Sequence, residues 1–287
     1  MRDELHQQVM YLLRKHRIFP QKRLGQHFLI NDEAVGKICE EATISEKDVI
    51  LEIGSGLGQL TRILAHQVHR AIALEFDPRL YKVLKEELKG FENIILIQAD
   101  ATRCDYEEML KDFSGPIEKI KVIGNLPYNV AVPILVRLGK IRNRISIIIA
   151  TLQRELAERF QALPGGKAYG DLSIFIQYFY KVRKVASLPA EAFYPRPKVM
   201  SDVIALHPLK DPPVFLQDEH LFFRLVRAAF SQRRKTLQNA LKAHPELGIS
   251  PDQWAALLKK AAICPQRRGE TLSIGEFARL SNVIFRI

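Results

Sequence analysis

The residues with the clearest chemical potential stand in one short segment, Asn125-Leu126-Pro127-Tyr128, which follows the apolar run Val122-Ile123-Gly124. The run predicts a buried strand, and the Gly-Asn-x-Pro pattern predicts a turn at its end whose residues face a pocket. The Asn125 carboxamide oxygen can accept from an exocyclic amine, Pro127 stiffens the turn, and Tyr128 offers a flat face to a base. The set suits a flipped-out adenine. A proline and a tyrosine that merely pack against the core are the alternative.

Three acidic residues and a glycine-rich turn predict a second set of ligand contacts. Glu52 precedes Gly54-Ser55-Gly56-Leu57-Gly58, and Glu75 and Asp100 each follow an apolar run. The spacing is G-x-G-x-G rather than G-x-G-x-x-G, and no added basic residue suggests a phosphate. A carboxylate beside bare backbone better matches a ligand with a positive amino-acid end and an adenosine end, such as S-adenosylmethionine. Glu75 would then accept both ribose hydroxyls and Asp100 would meet the adenine amine. Each acid alone could instead be a solvated loop residue or a helix cap.

The elements that must position these residues alternate between strand and helix. The predicted strands are residues 49–53, 71–74, 94–97, 120–123 and 144–150. Strands that are apolar throughout indicate a parallel sheet covered on both faces, so we predict an α/β fold with a Rossmann-like sheet. Ligands of such sheets bind at the carboxyl ends of the strands. The loops that carry the glycines, Glu75, Asp100 and Asn125 are therefore predicted to converge on one crevice.

The remainder of the chain predicts a helix over residues 172–180, strands over 182–188 and 199–207, and then helices only. Between the two strands, prolines hold residues 193–198 extended, so that Phe193 can be presented to a pocket; a stiff loop with buried aromatics is the alternative. The Asp211-Pro212-Pro213 segment predicts a domain boundary. We therefore expect a catalytic domain of residues 1–210 and a small all-helical domain of residues 214–287.

The charge of the chain favours a polyanionic partner. Forty-three Lys and Arg residues against 32 Asp and Glu residues give a formal charge of +11. Nucleic acid is the preferred partner and an anionic membrane surface the weaker alternative. Six basic residues and no acidic one lie between Arg224 and Lys242, which favours a phosphate-contacting surface over a merely solvated face. Lys22 and Arg23 lie in a loop that either touches a ligand or phosphate or is an ordinary surface loop pinned by Phe28 and Leu29.

Composition argues against several other classes of protein. Cys39, Cys104 and Cys264 are far apart and include no C-x-x-C pair, so neither a disulfide framework nor a zinc site is expected. We predict no structural metal. No apolar run approaches the length of a membrane span, and the N-terminal segment lacks the apolar stretch of a signal peptide. The expectation is a cytoplasmic monomer.

Beyond about Pro20 the chain resembles the ribosomal RNA adenine dimethyltransferases, the kasugamycin-sensitivity family that acts on small-subunit RNA. Nine ordered segments carry the resemblance: QKRLGQHFLIN at 21–31, LEIGSGLGQLT at 51–61, ALEFDPRL at 73–80, QADAT at 98–102, GNLPYN at 124–129, LQRELAERF at 152–160, YGDLSIFIQ at 169–177, FYPRPKV at 193–199 and AFSQRRKTL at 229–237. The resemblance implies a class I methyltransferase that uses S-adenosylmethionine to place two methyl groups on N6 of each of two adjacent adenosines near the 3′ end of 16S rRNA, with a role in small-subunit biogenesis.

The resemblance also assigns roles by matching position. The implied cofactor contacts are Gln26, His27, Leu29, Gly54, Gly56, Glu75, Asp100, Ala101 and Asn125. The implied catalytic residues are Asn125, Leu126, Pro127, Tyr128 and Phe193, with Tyr128 and Phe193 clamping the base from opposite faces. The expected RNA-binding residues are Lys22, Arg23, Arg227, Arg233, Arg234 and Lys235.

Three other functions are open from the sequence. The first is a related resistance methyltransferase that modifies a large-subunit adenine; the Asn-Leu-Pro-Tyr turn and the Ser-Gln-Arg-Arg-Lys-Thr-Leu segment favour the small-subunit branch over it. The second is a non-catalytic assembly or transcription factor that keeps the fold as an RNA- or DNA-binding module. The third is a nicotinamide dehydrogenase, which the glycine spacing disfavours.

Overall fold

The computed structural model describes residues 4–111, 119–127 and 130–286. The chain forms two compact units. The first contains residues 1–157 and 181–208, and the second contains residues 158–180 and 209–287.

The first unit is built on a mixed sheet. The strands of the described residues are β1 (Phe28–Leu29), β2 (Val49–Ile53), β3 (Arg70–Glu75), β4 (Ile94–Gln98), β5 (Ile120–Asn125), β6 (Ile145–Gln153), β7 (Tyr180–Leu188), β8 (Phe193–Tyr194) and β9 (Ser201–Pro208). The strand order of the sheet is β4-β3-β2-β5-β6-β9-β7. Strands β2 to β6 run parallel to one another, and β9 is antiparallel to β6. A separate antiparallel pair joins β1 to β8.

In the middle of the sheet, β2 and β3 are buried on both faces. Every residue of β2 is buried, and so is every residue of β3 after Arg70. This explains why these strands are apolar without alternation. The α/β class predicted from the sequence is confirmed.

Helices connect the parallel strands, and several begin at the capping residues that their sequences offer. Asn31 accepts from the Ala34 N–H, and Asp77 accepts from the Arg79 N–H. The helices of this part are α1 (Glu4–Lys15), α2 (Asp32–Glu41), α3 (Gln59–Ala65), α4 (Pro78–Glu87), α5 (Tyr106–Met109) and α6 (Ala131–Lys140).

The second unit is helical and has its own aromatic core, in which Trp254, Phe222 and Phe277 are fully buried. Its helices are α7 (Arg154–Gln161), α8 (Asp171–Phe179), α9 (Glu219–Phe230), α10 (Leu237–Lys242), α11 (Gln253–Lys260) and α12 (Ile274–Ile284). The chain enters this unit within α7.

The predicted boundary at residues 210–214 differs from the observed division. The structure groups residues 158–180 with the C-terminal helices rather than with the sheet. Tyr169 donates its hydroxyl to the Leu272 carbonyl at 2.9 Å, and Tyr178 donates to Glu219 at 3.1 Å. Such pairings join segments far apart in the chain, so the Asp-Pro-Pro segment could mark only one of the three points at which the chain passes from one unit to the other.

Among the described residues, no helix combines the length and the apolar character that a membrane span requires.

Candidate functional site

The carboxyl ends of the parallel strands open into a cavity of about 330 Å³ in the first unit. Its wall includes the last residues of β2, β3 and β5 and the loop after β4. The predicted site residues that line it are Arg23, Gln26, His27, Leu29, Gly54, Gly56, Glu75, Asp100, Ala101, Asn125 and Pro127. The structure therefore brings together residues that are up to about a hundred positions apart, as the convergence of the strand ends predicts.

The glycine turn after β2 brings bare backbone to the cavity wall. Gly54 and Gly56 have φ angles of +79° and +60°, which favour glycine. The N–H groups of Gly54 and Ser55 both donate to the Leu74 carbonyl, at 2.8 and 3.2 Å, so the turn is tied to β3. A Cβ atom added at Gly56 would lie 3.2 Å from the Phe28 ring. A side chain at this position would crowd the wall that the turn forms.

Glu75 is positioned by two backbone donors. The N–H groups of Gly56 and Asp77 donate to its two carboxylate oxygens, each at 2.8 Å. The residue is only 7% exposed, and this burial raises the pKa of its carboxyl group. Each oxygen keeps a lone pair for a further donor, so the carboxylate can accept from two neighbouring hydroxyl groups of a ribose.

The pKa of Asp100 is lowered, whereas that of Glu75 is raised. The Thr102 hydroxyl and N–H donate to Oδ1 at 2.7 and 2.9 Å, and the hydroxyl bond is the first cause of a lowered pKa. Oδ2 has Arg103 Nε 3.7 Å away. An ionised carboxylate at the cavity wall suits an amine donor such as the exocyclic nitrogen of adenine.

Glu52 is a deeply buried acid of the site, with 3% of its surface exposed. Its burial raises the pKa to about 8, although the Thr61 hydroxyl donates to it. Glu52 is therefore mainly neutral at pH 7, and a cation placed beside it would favour the ionised form.

Asn125 ends β5 with its two carboxamide atoms in different roles. Nδ2 donates to the His27 carbonyl at 2.7 Å, so Oδ1 is the atom left to accept from a ligand. The N–H of Leu126 donates to the Thr151 carbonyl, at 3.2 Å, which fixes the backbone of the turn. Pro127 lines the cavity. Tyr128, the predicted stacking residue, lies outside the described residues.

The segment with Gln26, His27 and Leu29 closes one side of the cavity, and its polar side chains contact protein atoms. His27 Nδ1 lies 2.6 Å from the Pro195 carbonyl oxygen. Gln26 donates from Nε2 to Asp77, at 2.8 Å, and accepts from the Gln21 N–H, also at 2.8 Å. Because the Asp77 N–H bonds Glu75, Gln26 supports the acid indirectly as well as lining the cavity.

The clamp predicted for Phe193 stays a prediction, and this structure places the residue in the core of the sheet. The residue is 1% exposed and packs in a core cluster with Ile50, Ile123 and Val203. It is not among the described residues that line the cavity. The physical reason is the pairing of β8 with β1, in which Phe193 lies opposite Leu29 and is covered by the core of the sheet.

Several residues of the cavity wall were not predicted from the sequence, and Phe76 and Gln59 are two of them. Phe76 lines the cavity with 55% of its surface exposed, directly after Glu75. Gln59 lines it from the first residue of α3. An aromatic residue after a strand-end acid was a usable signal for Phe76, whereas a single glutamine after a glycine turn carries little information.

The predicted RNA-binding residues divide between the two units. Lys22 and Arg23 are exposed in a short helical turn, Lys22–Leu24, at the edge of the first unit's cavity. The four from the second unit, which are all exposed, are Arg227, Arg233, Arg234 and Lys235. Arg233 also donates to the Tyr169 carbonyl at 3.2 Å.

The chain is similar in sequence to ribosomal RNA methyltransferases. The family described as "Ribosomal RNA adenine dimethylase" matches residues 20–285. A protein named "Ribosomal RNA small subunit methyltransferase A" from Moorella thermoacetica is 40% identical over 280 residues, which is 96% of each chain. The protein of the same name from Desulforapulum autotrophicum is 43% identical over 276 residues, covering 96% of this chain and 95% of its own.

Solved structures have the same architecture. A dimethyladenosine transferase from Plasmodium falciparum superposes with a TM-score of 0.72 at 26% identity, covering 88% of this chain and 96% of its own. The 23S rRNA methyltransferase ErmE superposes with a TM-score of 0.64 at 22% identity, covering 90% of this chain and 99% of its own. The fold is therefore the class I methyltransferase fold, as predicted.

Proposed function

The chain belongs to the ribosomal RNA adenine dimethylase family, and we propose that it uses S-adenosylmethionine to place two methyl groups on N6 of each of two adjacent adenosines near the 3′ end of 16S rRNA. The observation that best supports the proposal is the hydrogen bonding of the Asn125 side chain. Its Nδ2 is committed to the His27 carbonyl at 2.7 Å, so Oδ1 remains as an acceptor at the wall of a nucleoside-sized cavity.

The residues present fit the cofactor. The cavity of about 330 Å³ lies within the range, roughly 300–1,000 Å³, of small-molecule sites. Glu75 would hold the ribose hydroxyls, Asp100 the adenine amine, and the bare backbone at Gly54 together with Glu52 the amino-acid end. When bound, the sulfonium of the cofactor supplies an electrophilic methyl carbon.

Asn125 and Leu126 would prepare the target nitrogen for attack. The lone pair of the adenine amine is delocalised into the ring, which makes the nitrogen a poor nucleophile. If Asn125 Oδ1 and the Leu126 carbonyl each accept one N–H, they favour a pyramidal nitrogen whose lone pair is free to react. Holding the reacting atoms in line can supply roughly 7 kcal/mol or more of the barrier. No strong base is required, because the remaining proton becomes acidic once the nitrogen is methylated.

Access to the site requires the target base to leave its stack, at a cost of a few kcal/mol. Tyr128 would stack on the extruded ring, and stacking of this kind is worth roughly 1–3 kcal/mol per base. The exposed basic residues Lys22, Arg23, Arg227, Arg234 and Lys235 would contact RNA phosphates, and the helical C-terminal residues 214–287 would form an RNA-binding domain. The partner would be the 16S rRNA of the small ribosomal subunit during its biogenesis.

The alternatives from the sequence are not favoured. The relatives at about 40% identity have small-subunit names, whereas the structural neighbour with a 23S name is 22% identical and shows the fold alone. A non-catalytic RNA-binding factor is disfavoured because the glycine turn, Glu75, Asp100 and Asn125 all line one cavity.

Methylation of undermodified ribosomal subunits tests the proposal. Purified protein and labelled cofactor should modify isolated small subunits and leave large subunits unlabelled. Mapping should place the label on N6 of two adjacent adenosines near the 3′ end of 16S rRNA. Label in the large subunit, or on any other position of the small-subunit RNA, would contradict the proposal.

A further inference from the structure

Gln59 is a buried polar residue that the proposed chemistry does not use. It is 7% exposed and lines the cavity from the start of α3. Its Nε2 atom is buried and has no hydrogen-bond partner within the described part of the chain. An unpaired donor of this kind is unfavourable, because the group has lost its water without gaining a replacement. An unpaired donor in a cavity wall indicates that a bound ligand supplies the missing hydrogen-bond acceptor.

The position of Gln59 in the sheet indicates which part of the cofactor could accept its hydrogen bond. It follows β2, and β2 lies between β3 and β5 in the sheet. Of the residues assigned to the adenosine, Glu75 ends β3 and Asp100 follows β4, and the residue assigned to the target base ends β5. The part of the cofactor left for the end of β2 is its amino-acid end, which carries one carboxylate and one ammonium group.

Three buried polar side chains line the cavity at this strand end: Glu52, Ser55 and Gln59. The Ser55 hydroxyl can either donate or accept, whereas the other two side chains have complementary roles. Glu52 can accept from an ammonium group, and Gln59 Nε2 can only donate. The Thr61 hydroxyl, also on α3, already donates to Glu52. The donor at Gln59 is therefore the group that matches the carboxylate, and hydrogen bonds to an ionised acceptor are the stronger kind.

We propose that Gln59 Nε2 donates to the carboxylate of the cofactor's amino-acid end and thereby selects S-adenosylmethionine over adenosine thioethers and sulfoniums that lack this group. The inference rests on the proposed function, since it requires the cavity to bind that cofactor. Gln59 is in this sense a specificity-determining residue.

Calorimetry with two probes tests the inference without any need for turnover. S-adenosylmethionine has the carboxylate, and decarboxylated S-adenosylmethionine retains the sulfonium and the amine but lacks it. In Gln59→Met, the side chain keeps its length and loses its donor. We expect about a tenfold to hundredfold loss of affinity for S-adenosylmethionine, the range for a charge-assisted hydrogen bond. Affinity for the decarboxylated probe should be unchanged.

Two further variants make the test sharper. Gln59→Glu places a negative charge opposite the carboxylate, so it should weaken S-adenosylmethionine more than Gln59→Met does while sparing the decarboxylated probe. Gln67→Met is the matched control, because Gln67 is exposed just beyond α3 and donates to the Ile63 carbonyl. It should bind both probes as the unmodified protein does.

Melting without ligand separates a binding role from a structural one. Removing an unpaired buried donor should leave the melting temperature of Gln59→Met equal to or above that of the unmodified protein. A marked fall, or equal effects of Gln59→Met on the two probes, would overturn the inference while leaving the proposed function intact. If the unmodified protein binds neither probe, the proposed function itself is wrong.

Discussion

The two atoms of the Asn125 carboxamide, at the end of β5, have different roles in the site: one is structural and the other is available for chemistry. Nδ2 of Asn125 holds the His27 carbonyl at 2.7 Å, and Oδ1 is left for a ligand. The same side chain therefore orders the loop that closes the cavity and presents an acceptor to it. Because the acceptor matters most where charge develops, its loss should affect turnover more than binding.

Replacing Asn125 with alanine tests this division. Asn125→Ala should lower the rate of methyl transfer by about 10²–10³, the range for removal of one preorganised hydrogen-bonding group. Affinity for S-adenosylmethionine, measured by calorimetry, should fall less than about tenfold. Asn143→Ala, at an exposed asparagine in the turn Arg142–Arg144, is the control and should leave both quantities unchanged. Near-normal turnover by Asn125→Ala would exclude the mechanism.

Glu52 should make the stability of the ligand-free protein depend on pH. Burial raises its pKa to about 8, so the folded chain holds a proton that the unfolded chain releases above about pH 4.5. Stability from this group is present below pH 4.5 and is lost as the pH rises toward 8. Glu52→Gln should match the unmodified protein at pH 4.5 and be more stable by about 4 kcal/mol at pH 8.5. Urea unfolding at the two pH values checks this, and parallel pH profiles for the two proteins would contradict it.

At the scale of elements, the turn between β2 and α3 requires glycine at position 56. Gly56 has a φ of +60° and lies so close to Phe28 that an added Cβ would be 3.2 Å from the ring. A Cβ added at Gly36, in the middle of α2, would have no atom of residues 4–111, 119–127 or 130–286 within 4 Å. The two glycines therefore predict opposite responses to the same substitution.

Alanine at each position tests the difference. Gly56→Ala should destabilise the protein by about 1–2 kcal/mol, because alanine is strained at positive φ and Phe28 must move. Gly36→Ala should stabilise it by roughly 0.5–1 kcal/mol through the helix propensity of alanine. Midpoints of chemical unfolding measure both. Equal effects of the two substitutions would show that the turn does not impose the strain we infer.

In the helical unit, the hydrogen bonds at the start of α12 lead to a prediction about stability. Ser273 and Glu276 form a reciprocal capping box, and Arg267 also bonds Glu276. The Arg267 hydrogen bonds lower the pKa of Glu276 to about 2. This stability is present above the unfolded pKa of about 4.5 and is lost as the pH falls toward 2.

Glu276→Gln should therefore lower stability by roughly 2 kcal/mol at pH 7 and by much less at pH 3. Asp252→Asn is the control, since Asp252 precedes α11 and makes no side-chain capping hydrogen bond. Its effect should be small at both pH values. Unfolding followed by Trp254 fluorescence reports on this unit, and a loss for Glu276→Gln that is the same at pH 3 and pH 7 would refute the linkage.

At the scale of the whole molecule, the formal charge of +11 favours RNA, but its distribution decides where RNA binds. Arg234 and Lys235 are exposed between α9 and α10, and Lys259 and Lys260 are exposed at the end of α11. Both pairs lie in the helical unit and contribute equally to net charge. Only the first pair belongs to the predicted RNA surface.

Charge reversal of each pair distinguishes a local surface from net charge. Arg234→Glu with Lys235→Glu should weaken binding to small-subunit RNA and reduce the salt slope by roughly 0.7–0.9 for each phosphate that is no longer neutralised. Lys259→Glu with Lys260→Glu should leave the slope nearly unchanged. Filter binding over a series of salt concentrations measures both. Equal slopes for the two double variants would remove Arg234 and Lys235 from the RNA surface.

The sequence by itself determined the alternation of strands and helices and the convergence of Glu75, Asp100 and Asn125 on one cavity. Periodicity and local turn chemistry are short-range properties, and parallel strands leave little choice about where their carboxyl ends lie. The motifs were also sufficient to identify the family, because they are continuous segments of the chain.

Only the tertiary structure decided which side chains face the cavity. Phe193 is buried because β8 pairs with β1, Gln26 bonds Asp77 across 51 positions, and residues 158–180 join the C-terminal helices. Gln59 is notable only because no other residue in the described part of the chain pairs with its Nε2 atom. Each of these outcomes depends on contacts between segments far apart in the chain, and local patterns carry no information about which distant group will cover a given side chain.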